Sequence, residues 1–345
     1  MRSLEFWDTK PNRLDWRAKI LQPLGALYAM ATARRIARAP QVRCQVPVIC
    51  IGNLNVGGTG KTPMTIALIE RLMARDLRPH VVLRGYGGRL AGPLTVRPHE
   101  HTSDEVGDEA LLLAAFAQVH IARDRGLGAN MAERAGADLI LLDDGFQNPS
   151  LYKDLSLIVV DAQKGFGNGL CLPAGPLREP VKAGLARADF MVLIGEAEDQ
   201  ALFRSVWAGE LSHQRLNRHS LQTVPVPILL GALRRLDTGM DWQGAKVMAF
   251  AGIGYPEKFF ATLRAAGAEI VHKEALQDHQ PLTPALMRRL ASHAKRLGAQ
   301  MVTTEKDAVR LPGQYCNQVL TFPVRLHLQD WSSLDVAVDR LLVVS

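Results

Sequence analysis

Short apolar runs alternate with stretches of helical spacing along most of the chain, which is the pattern of an α/β protein. The run Val46–Ile51 predicts a buried parallel strand, and the stretch Pro63–Ala74 after it suits a helix packed on a sheet. Further strands are predicted at His80–Leu83, Leu139–Leu142, Leu155–Asp161 and Asp189–Ile194, and further helices at Ala110–Ala117 and Val181–Arg187. We therefore predict a core domain, residues 41–235, on a mainly parallel sheet.

The alternation breaks over residues 195–235 and then begins again. This stretch predicts a helix and then an extended segment containing Pro225-Val226-Pro227, which we interpret as a hinge or linker. From Ala245 onward, strands and helices are predicted at Lys246–Ala251, Pro256–Ala266, Glu269–His272, Pro284–Leu297 and Gln300–Thr303. Residues 236–345 are therefore predicted to form a second, smaller α/β domain.

The N-terminal segment, residues 1–40, is both basic and amphipathic. Trp16, Ile20, Leu24 and Leu27 recur at helical spacing, and residues 1–45 hold nine Arg or Lys against three acidic residues, a net +6. This combination predicts a helix that lies on an anionic membrane surface. An ordinary helix docked on the core is the alternative, whereas a basic cluster after the apolar stretch argues against a signal peptide. No run approaches the roughly 20 apolar residues that span a bilayer.

The composition adds two limits. The 345 residues are enough for two domains, each with a core of its own. The four cysteines show no paired spacing, which argues against a disulfide framework or a zinc site and favours a reducing cytosol.

The segment Ile51–Thr62, IGNLNVGGTGKT, carries the strongest chemical signal. A strand, a glycine-rich loop ending in Gly-Lys-Thr and a helix together predict a cradle for the phosphates of a nucleoside triphosphate. The predicted cradle comprises Asn55, Val56, Gly57, Gly58, Thr59, Gly60, Lys61 and Thr62. Lys61 is expected on the outer phosphates and Thr62 on a Mg²⁺ ion. Asn55 replaces the usual first glycine, and we expect it to adopt the positive φ of that turn.

Two adjacent carboxylates, Asp143 and Asp144, follow the predicted strand Leu139–Leu142. In open α/β sheets ligands bind at the carboxyl ends of the strands, and an Asp there is the usual second magnesium anchor of phosphate-loop enzymes. Buried neighbouring carboxylates repel each other unless a cation neutralises them. This pair is therefore predicted to bind Mg²⁺.

Three other polar positions remain open on local sequence. Asp108 precedes a predicted helix, where a capping role is the better local interpretation. Arg178 lies in a loop rich in Pro and Gly and either binds a phosphate or is a solvated turn residue. His279 lies in a polar loop of the second domain, where an isolated histidine is usually only solvated.

Eight segments occur in the order seen in one kinase family: GNLNVGGTGKTP, RGYGG, GDEALLL, LLDDGFQ, LPAGPLREP, GIGYPEKFF, QDHQ and TTEKDAVR. From about Leu4 to its C-terminus the sequence resembles tetraacyldisaccharide 4'-kinases, the lipid A 4'-kinases of the Gram-negative envelope pathway. Within this family the position of Asn55 varies, so it is not a departure from the family pattern.

The resemblance implies a kinase that transfers the γ-phosphate of ATP to the 4'-hydroxyl of a tetraacyldisaccharide 1-phosphate, forming lipid IVA in lipid A biosynthesis. It implies a peripheral enzyme on the cytoplasmic face of the inner membrane, with Mg²⁺ as cofactor and ATP as co-substrate. The expected partners are the anionic glycolipid and the membrane surface, with no nucleic acid and no obligate protein partner. The smaller domain is expected to close over ATP.

The resemblance also assigns roles to residues. Asp108 becomes the proposed base, His279 its helper and Lys61 a catalytic residue. Asp143 and Asp144 are linked to magnesium, in agreement with the argument from the strand end. Substrate binding is expected from Arg84, Arg123, Arg178 and Gln147.

Two other functions share the phosphate loop. The first is a GTPase or ATPase of the partition or metallochaperone type, and Val56 weakens its partition branch, which carries an additional lysine in this loop. The second is a non-catalytic, nucleotide-gated membrane adaptor, which would need neither Asp108 nor His279.

Overall fold

The computed structural model describes residues 4–212, 215–216 and 223–344. Its strands are β1 (Val48–Gly52), β2 (Pro79–Leu83), β3 (Leu94–Thr95), β4 (Gln118–Ile121), β5 (Leu139–Asp143), β6 (Leu155–Asp161), β7 (Phe190–Ile194), β8 (Arg215–Leu216), β9 (Thr223–Val224), β10 (Ile228–Arg235), β11 (Lys246–Ala251), β12 (Glu269–Ala275), β13 (Gln300–Thr304), β14 (Val319–Phe322) and β15 (Val324–Leu328). Its α-helices are α1 (Trp16–Ile36), α2 (Lys61–Met73), α3 (Ser103–Val106), α4 (Asp108–Ala114), α5 (Arg125–Arg134), α6 (Val181–Leu185), α7 (Ala197–Val206), α8 (Ala208–Leu211), α9 (Pro256–Ala265), α10 (Pro284–Leu297), α11 (Glu305–Ala308) and α12 (Ser332–Val344).

A large sheet carries the phosphate loop. Its strand order is β15-β10-β7-β6-β1-β5-β2-β4-β3. The pairs from β10 to β4 are parallel, and only the outermost pairs, β15 with β10 and β3 with β4, are antiparallel. Strands β1, β5 and β6 are buried along their whole length because helices cover both faces of the sheet. The predicted α/β class with a mainly parallel phosphate-loop core is confirmed.

Two apolar layers enclose the large sheet. One contains side chains of α2, α4 and α12, among them Ile69, Leu113 and Val338. The other contains side chains of α5, α6 and α7, among them Ala129 and Phe203. The carboxyl ends of the central strands therefore meet at one open edge of a three-layer structure, where ligands bind in such sheets.

The interpretation of residues 195–235 as a hinge or linker is wrong for Ile228–Arg235. This segment is β10, which pairs with β7 and β15 inside the large sheet. Buried and partly exposed positions alternate in its first half and its last two residues are exposed, so it lacks the continuous apolar run of the central strands. The sequence pattern therefore does not predict that this segment joins the large sheet.

The end of the predicted second domain, residues 236–345, also returns to the core. Val324–Leu328 is β15 of the large sheet, and Leu334 of α12 is buried in the core beneath it. A partly exposed salt bridge of 2.6 Å between Arg71 of α2 and Asp335 of α12 accompanies this buried packing. Along the sequence, the strands of the smaller sheet therefore fall between β10 and β15, which both belong to the large sheet.

The smaller sheet has the strand order β12-β11-β13-β14, and its pairs are all parallel. Helix α9 covers one face with Phe260 and Leu263, and α10 covers the other with Met287 and Leu290. Thr283 caps α10 by accepting a hydrogen bond from Leu286 N, and Gly298 ends it in the left-handed conformation. The predicted strands and helices of this unit are all present.

Helix α1 is apolar on two opposite faces. Its inner face, with Ala18, Gly25 and Thr32, is buried against the core. A Cβ on Gly25 would lie 2.8 Å from the carbonyl oxygen of Cys171, so only glycine allows this approach. Trp16, Ile20, Leu24, Leu27 and Met30, here called the apolar stripe, point outward and are more than half exposed. No helix of the described residues is long and apolar enough to cross a membrane.

Candidate active site

The phosphate loop joins β1 to α2 at the open edge of the large sheet. Gly57 and Gly60 have φ of 106° and 97°, a region that side chains disfavour. A Cβ on Gly60 would lie 2.7 Å from Ile194, whereas Gly57 and Gly58 face open space. The loop therefore leaves open space beside Gly57 and Gly58, next to the N-terminus of α2, and helix N-termini of this kind bind phosphates.

The expected positive φ at Asn55 is wrong, because the non-glycine residues with positive φ in the described chain are Asp76, Asp144 and His279. Asn55 is buried, and its Nδ2 donates a hydrogen bond of 3.1 Å to the carbonyl oxygen of Gly165. The asparagine therefore fastens the phosphate loop to the segment after β6, which is a side-chain role that glycine could not perform.

Gln147 is hydrogen-bonded to the segment that leads into the phosphate loop. Its buried Nε2 donates to the carbonyl oxygen of Asn53 at 2.8 Å and to Glu179 Oε1 at 2.9 Å. Glu179 in turn pairs with Arg187 at 2.5 Å. Asn53 Nδ2 continues the network to Thr59 Oγ1 at 3.1 Å. Gln147 is a predicted substrate ligand, and in this structure its amide nitrogen donates to two acceptors of the protein itself.

Asp143, the last residue of β5, is buried beside the start of α2. The hydroxyl of Thr65 donates to its Oδ1 at 3.2 Å. Burial, together with the charges of Glu109 and Asp144, raises the pKa of Asp143 to about 7, although Lys61 acts in the opposite direction. This carboxylate therefore binds a proton at neutral pH more readily than an ordinary Asp.

Asp144 adopts a left-handed backbone with φ of 51°, which turns its side chain toward two cations. Arg178 lies 2.9 Å and Lys61 lies 3.6 Å from its Oδ1. Burial acts to raise the pKa of Asp144, but Lys61 and Arg178 outweigh it and hold the pKa below its ordinary value. Arg178 is therefore paired with Asp144 and is not a solvated turn residue.

The residues around this edge fit a magnesium ion. No group of three or more His, Cys, Asp or Glu within the described residues is arranged to hold a metal by itself. Mg²⁺ in phosphotransfer sites is typically held by one or two carboxylates, phosphate oxygens and water. The donor set fits, because Asp143 and Asp144 are adjacent carboxylates, Asp143 is buried at the end of β5, and a cation would relieve the repulsion between them.

Asp108 and His279 are in direct contact, although 171 residues separate them. His279 Nδ1 lies 2.9 Å from Asp108 Oδ2 and 3.1 Å from Oδ1. Asp108 is 3% exposed and is the first residue of α4. Burial acts to raise its pKa, but the hydrogen bond from His279 and the charges of Lys306 and Arg310 hold the pKa below its ordinary value. Asp108 is thus an ionised carboxylate near neutral pH.

The glycines of the segment 84–88 allow close packing beneath Asp108. A Cβ on Gly88 would lie 2.6 Å from the carbonyl oxygen of Glu105, and a Cβ on Gly107 would lie 2.5 Å from that of Tyr86. The α3–α4 junction and this loop therefore fit only as backbone against backbone. The contact fixes the position from which α4 presents Asp108.

A separate network holds His279 in place. His279 has φ of 59°, and its backbone N–H donates to the carbonyl oxygen of Gly252 at 3.1 Å. Arg310 donates to the carbonyl oxygens of Gln280 and Gly252, at 3.0 and 3.2 Å, and is paired with Asp307. A buried guanidinium therefore ties the loop that carries the histidine, at Gln280, to the loop after β11, at Gly252.

Three further contacts join the smaller unit to the phosphate-loop edge. Lys306 lies 3.1 Å from Glu109, and Lys258 lies 3.0 Å from Asp161 at the end of β6. A Cβ on Gly254 would lie 3.6 Å from the backbone nitrogen of Gly58. The loop after β11 thus lies next to the phosphate loop at Gly58.

Comparison with known proteins agrees with this architecture. A family model described as tetraacyldisaccharide-1-P 4'-kinase matches residues 17–343. The chain belongs to this kinase family. It is 57% identical to the tetraacyldisaccharide 4'-kinase of Dinoroseobacter shibae, over 99% of this chain and 98% of the relative. It is 44% identical to that of Rhodospirillum rubrum, over 99% and 98% of the two chains.

A solved structure of the tetraacyldisaccharide 4'-kinase family has the same fold. This is LpxK from Aquifex aeolicus in complex with ATP, with a TM-score of 0.72 and 25% sequence identity. The alignment covers 94% of this chain and 99% of that one. The predicted family membership and the phosphate-loop fold are therefore confirmed.

In this member of the tetraacyldisaccharide 4'-kinase family, the predicted arginines separate into two groups. Arg178 contacts Asp144, whereas Arg84 and Arg123 are exposed at the ends of β2 and β4. The buried arginine near these strand ends is Arg125, whose Nε has no hydrogen-bond partner among the described residues. Sequence reasoning missed Arg125, and its place as the first residue of an amphipathic helix gave no signal.

Sequence reasoning also missed Thr65, Glu109, Lys306 and Arg310 as neighbours of the site. Thr65 lies one turn beyond the phosphate loop, where it looks like an ordinary helix residue. Lys306 and Arg310 lie in the TTEKDAVR segment, whose local pattern indicates only a polar loop. Their partners are distant along the chain, so only the fold brings them to Asp108 and Glu109.

Proposed function

We propose that this protein transfers the γ-phosphate of ATP to the 4'-hydroxyl of a tetraacyldisaccharide 1-phosphate, producing lipid IVA for lipid A biosynthesis. The contact between Asp108 and His279 carries the proposal, because it pairs an ionised carboxylate of the core with an orienting imidazole of the smaller unit. Family membership supplies the acceptor, since the relatives are named for this reaction. ATP is the donor, in keeping with the ATP complex of the Aquifex protein.

Asp108 acts as the general base in this proposal. A sugar hydroxyl is a weak nucleophile, so a carboxylate within hydrogen-bond reach accelerates attack by accepting its proton. As the hydroxyl oxygen bonds to the γ-phosphorus, the bond from that phosphorus to the β,γ-bridging oxygen breaks and ADP leaves. The hydroxyl proton passes to Asp108, which His279 holds in position from the other side.

Lys61 and the amides at the start of α2 stabilise the charge on the transferred group. Such preorganised positive groups contribute most of the catalysis in phosphoryl transfer, because little covalent work is left to the protein. Asp144 lies 3.6 Å from Lys61 and holds the ammonium near the phosphate loop. Thr62, Asp143 and Asp144 would hold a Mg²⁺ ion, which when bound neutralises charge on the β- and γ-phosphates.

The acceptor is an anionic lipid, and two features suit its recognition. Arg84, Arg123 and Arg178 offer positive charge near the open edge of the sheet. The apolar stripe of α1 faces away from the protein, and Arg34 and Arg35 lie in the last turn of this helix. We infer that α1 rests on the cytoplasmic face of the inner membrane, as a peripheral and not a spanning element.

The direct test is an assay of the purified protein with MgATP and tetraacyldisaccharide 1-phosphate in detergent micelles. The proposal predicts ATP consumption that depends on the glycolipid acceptor. ATP hydrolysis at the full rate without acceptor would instead favour the partition or metallochaperone type. Retention of all activity by an Asp108→Ala, His279→Ala double variant would exclude the proposed base.

A further inference from the structure

Lys306 is the feature that the proposed mechanism leaves unused. It is the second residue of α11, in the smaller unit, and its ammonium reaches across to the core. Nζ lies 3.1 Å from Glu109 Oε1 and 3.4 Å from His279 Nε2. His279 Nδ1 is directed at Asp108. The imidazole is thus held between an ammonium on one side and a carboxylate on the other.

These two neighbours require the same form of the ring. An ammonium has three N–H donors and no acceptor, so a hydrogen bond from Lys306 requires a lone pair on His279 Nε2. An ionised carboxylate only accepts, so the contact with Asp108 requires a proton on Nδ1. Both conditions are met by the neutral ring with its proton on Nδ1. They are not met by the other tautomer or by the doubly protonated ring.

We propose that Lys306 is a positioning residue that holds His279 as the neutral Nδ1–H tautomer. In this form Nδ1 already carries a proton and Nε2 is occupied by the ammonium. The ring therefore orients the carboxylate and does not itself accept the proton of the acceptor hydroxyl. Asp108 is left as the group that does so.

The charges around the pair explain why an ammonium is needed. The titratable and charged groups that surround the Asp108–His279 pair are Glu109, Asp278, Lys306, Arg310 and Tyr86. Asp278 Oδ1 lies 3.7 Å from His279 Nε2, so removal of Lys306 leaves an acidic group as the neighbour of that nitrogen. Without Lys306, Nε2 faces a carboxylate oxygen and no donor, and an acceptor at that position calls for a proton on Nε2 in addition to the one on Nδ1. Burial acts to lower the pKa of Lys306, but Glu109, Asp108 and Asp278 together raise it, so the ammonium stays charged.

The test measures the protonation of each ring nitrogen of His279. Protein labelled with ¹⁵N at histidine is studied by NMR near neutral pH, and His279 is assigned from the signals missing in His279→Gln. We expect wild-type His279 to show a protonated Nδ1 and an unprotonated Nε2. In Lys306→Met, both nitrogens should be protonated. Lys306→Arg, which keeps a permanent donor, should restore the wild-type pattern.

Lys258→Met is the matched control. Within the described residues, Lys258 likewise joins the smaller unit to the core, with its ammonium 3.0 Å from Asp161. If Lys306 only fastened the two parts together, both methionine variants would change the ring in the same way. We expect the ring signals of Lys258→Met to match the wild type.

The expected effect of Lys306→Met on kcat rests on the proposed function, whereas the inference about the tautomer of His279 does not. Lys306→Met should lower kcat roughly 10- to 100-fold and change KM for ATP by less than about twofold, as expected for a residue that orients a base. A wild-type ring protonated at Nε2 would overturn the inference, even if the methionine variant failed to fold. A Lys306→Met ring identical to the wild type would also overturn it. If kinase activity were absent but the ring changed as expected, the proposed function alone would be wrong.

Discussion

Replacing Ile20, Leu24 and Leu27 with serine should release the protein from anionic vesicles while leaving its fold intact. These residues belong to the apolar stripe of α1 and are 66%, 52% and 57% exposed. The opposite face of the helix, with Ala18, Gly25 and Thr32, makes the contacts with the core and is unchanged in the variant. The substitution therefore separates membrane binding from folding.

The magnitude follows from these exposures. Complete burial of a large aliphatic side chain is worth about 1.5–3 kcal/mol, so burial of the exposed half of each side chain contributes roughly 1 kcal/mol or somewhat more. Loss of three such contributions amounts to about 3–4 kcal/mol. Since about 1.4 kcal/mol corresponds to a factor of ten, the partition coefficient should fall by roughly 100- to 1000-fold.

The assay is co-sedimentation with vesicles that contain anionic lipid, at fixed salt concentration. The control variant is Leu202→Ser, Val206→Ser, which removes exposed apolar side chains from α7 instead, 57% and 40% exposed. Thermal unfolding checks that both variants are folded. Equal vesicle binding by the α1 variant and the wild type would refute the reasoning, and so would equal losses in the α1 and α7 variants.

Three further predictions follow from the site and the buried histidines. Asp108→Asn should lower kcat by about 10²–10⁴ with little change in ATP binding, because the amide keeps the shape but cannot accept the proton; steady-state kinetics and nucleotide titration measure the two effects. The pKa of Asp143 is raised to about 7, chiefly by burial, so protons compete with Mg²⁺ for this carboxylate. The affinity for Mg²⁺, measured in the complex with a non-hydrolysable ATP analogue, should therefore fall about tenfold from about pH 8 to pH 6. Burial and the charge of His80 lower the pKa of His120 from 6.5 to about 4. Between these two pH values the unfolded chain binds more protons than the folded protein, so the free energy of unfolding should decrease as the pH falls from 6.5 to 4. Urea unfolding at a series of pH values measures this decrease.

Each of these has its own control. Tighter or weaker ATP binding by Asp108→Asn, in proportion to the change in kcat, would show that Asp108 acts on the nucleotide and not on the acceptor. The nucleotide itself titrates in the same pH range, so the Mg²⁺ dependence is compared with Asp143→Asn, and an equal slope in both proteins would contradict the assignment. A His120→Gln variant should lose stability less steeply with acid, and an unchanged slope would exclude His120 as the source.

The elements that build the phosphate-loop edge could be predicted from sequence for a simple reason. Strands β1, β5 and β6 are buried on both faces, so they appear as continuous apolar runs. The glycine loop after β1 and the acidic pair after β5 mark the ends of two of them. Parallel strands bring their carboxyl ends to one edge, so the phosphate loop and the acidic pair are expected at the same edge, where the structure brings Lys61 to 3.6 Å from Asp144.

The outer strands could not be placed by the same argument. Strand β10 alternates between buried and partly exposed positions, and β15 is an antiparallel edge strand that follows a whole separate sheet. Local patterns indicate that such segments are extended but not which sheet they join. The position of β15 depends on contacts made by α12, whose buried Leu334 packs on the large core.

The pair Asp108 and His279 shows the same limit for function. At the level of residues alone, Asp108 was better explained as a helix-start residue and His279 as a solvated histidine, and only the family resemblance connected them. Their contact depends on a left-handed backbone at His279 and on a buried arginine, Arg310, which anchors its loop. Neither feature has a local sequence signature. The contact of Lys306 with Glu109 has no local signal either, because 197 residues separate the two.

The most direct measurement is the fate of the γ-phosphate in a single reaction mixture. Purified protein, MgATP and tetraacyldisaccharide 1-phosphate are incubated in detergent, and the phosphorylated glycolipid and the ADP formed are both quantified. The account predicts one new phosphate on the 4'-oxygen for each ADP, and loss of both products in Asp108→Asn. ADP formed without any phosphorylated glycolipid, or a phosphate on another oxygen, would contradict it.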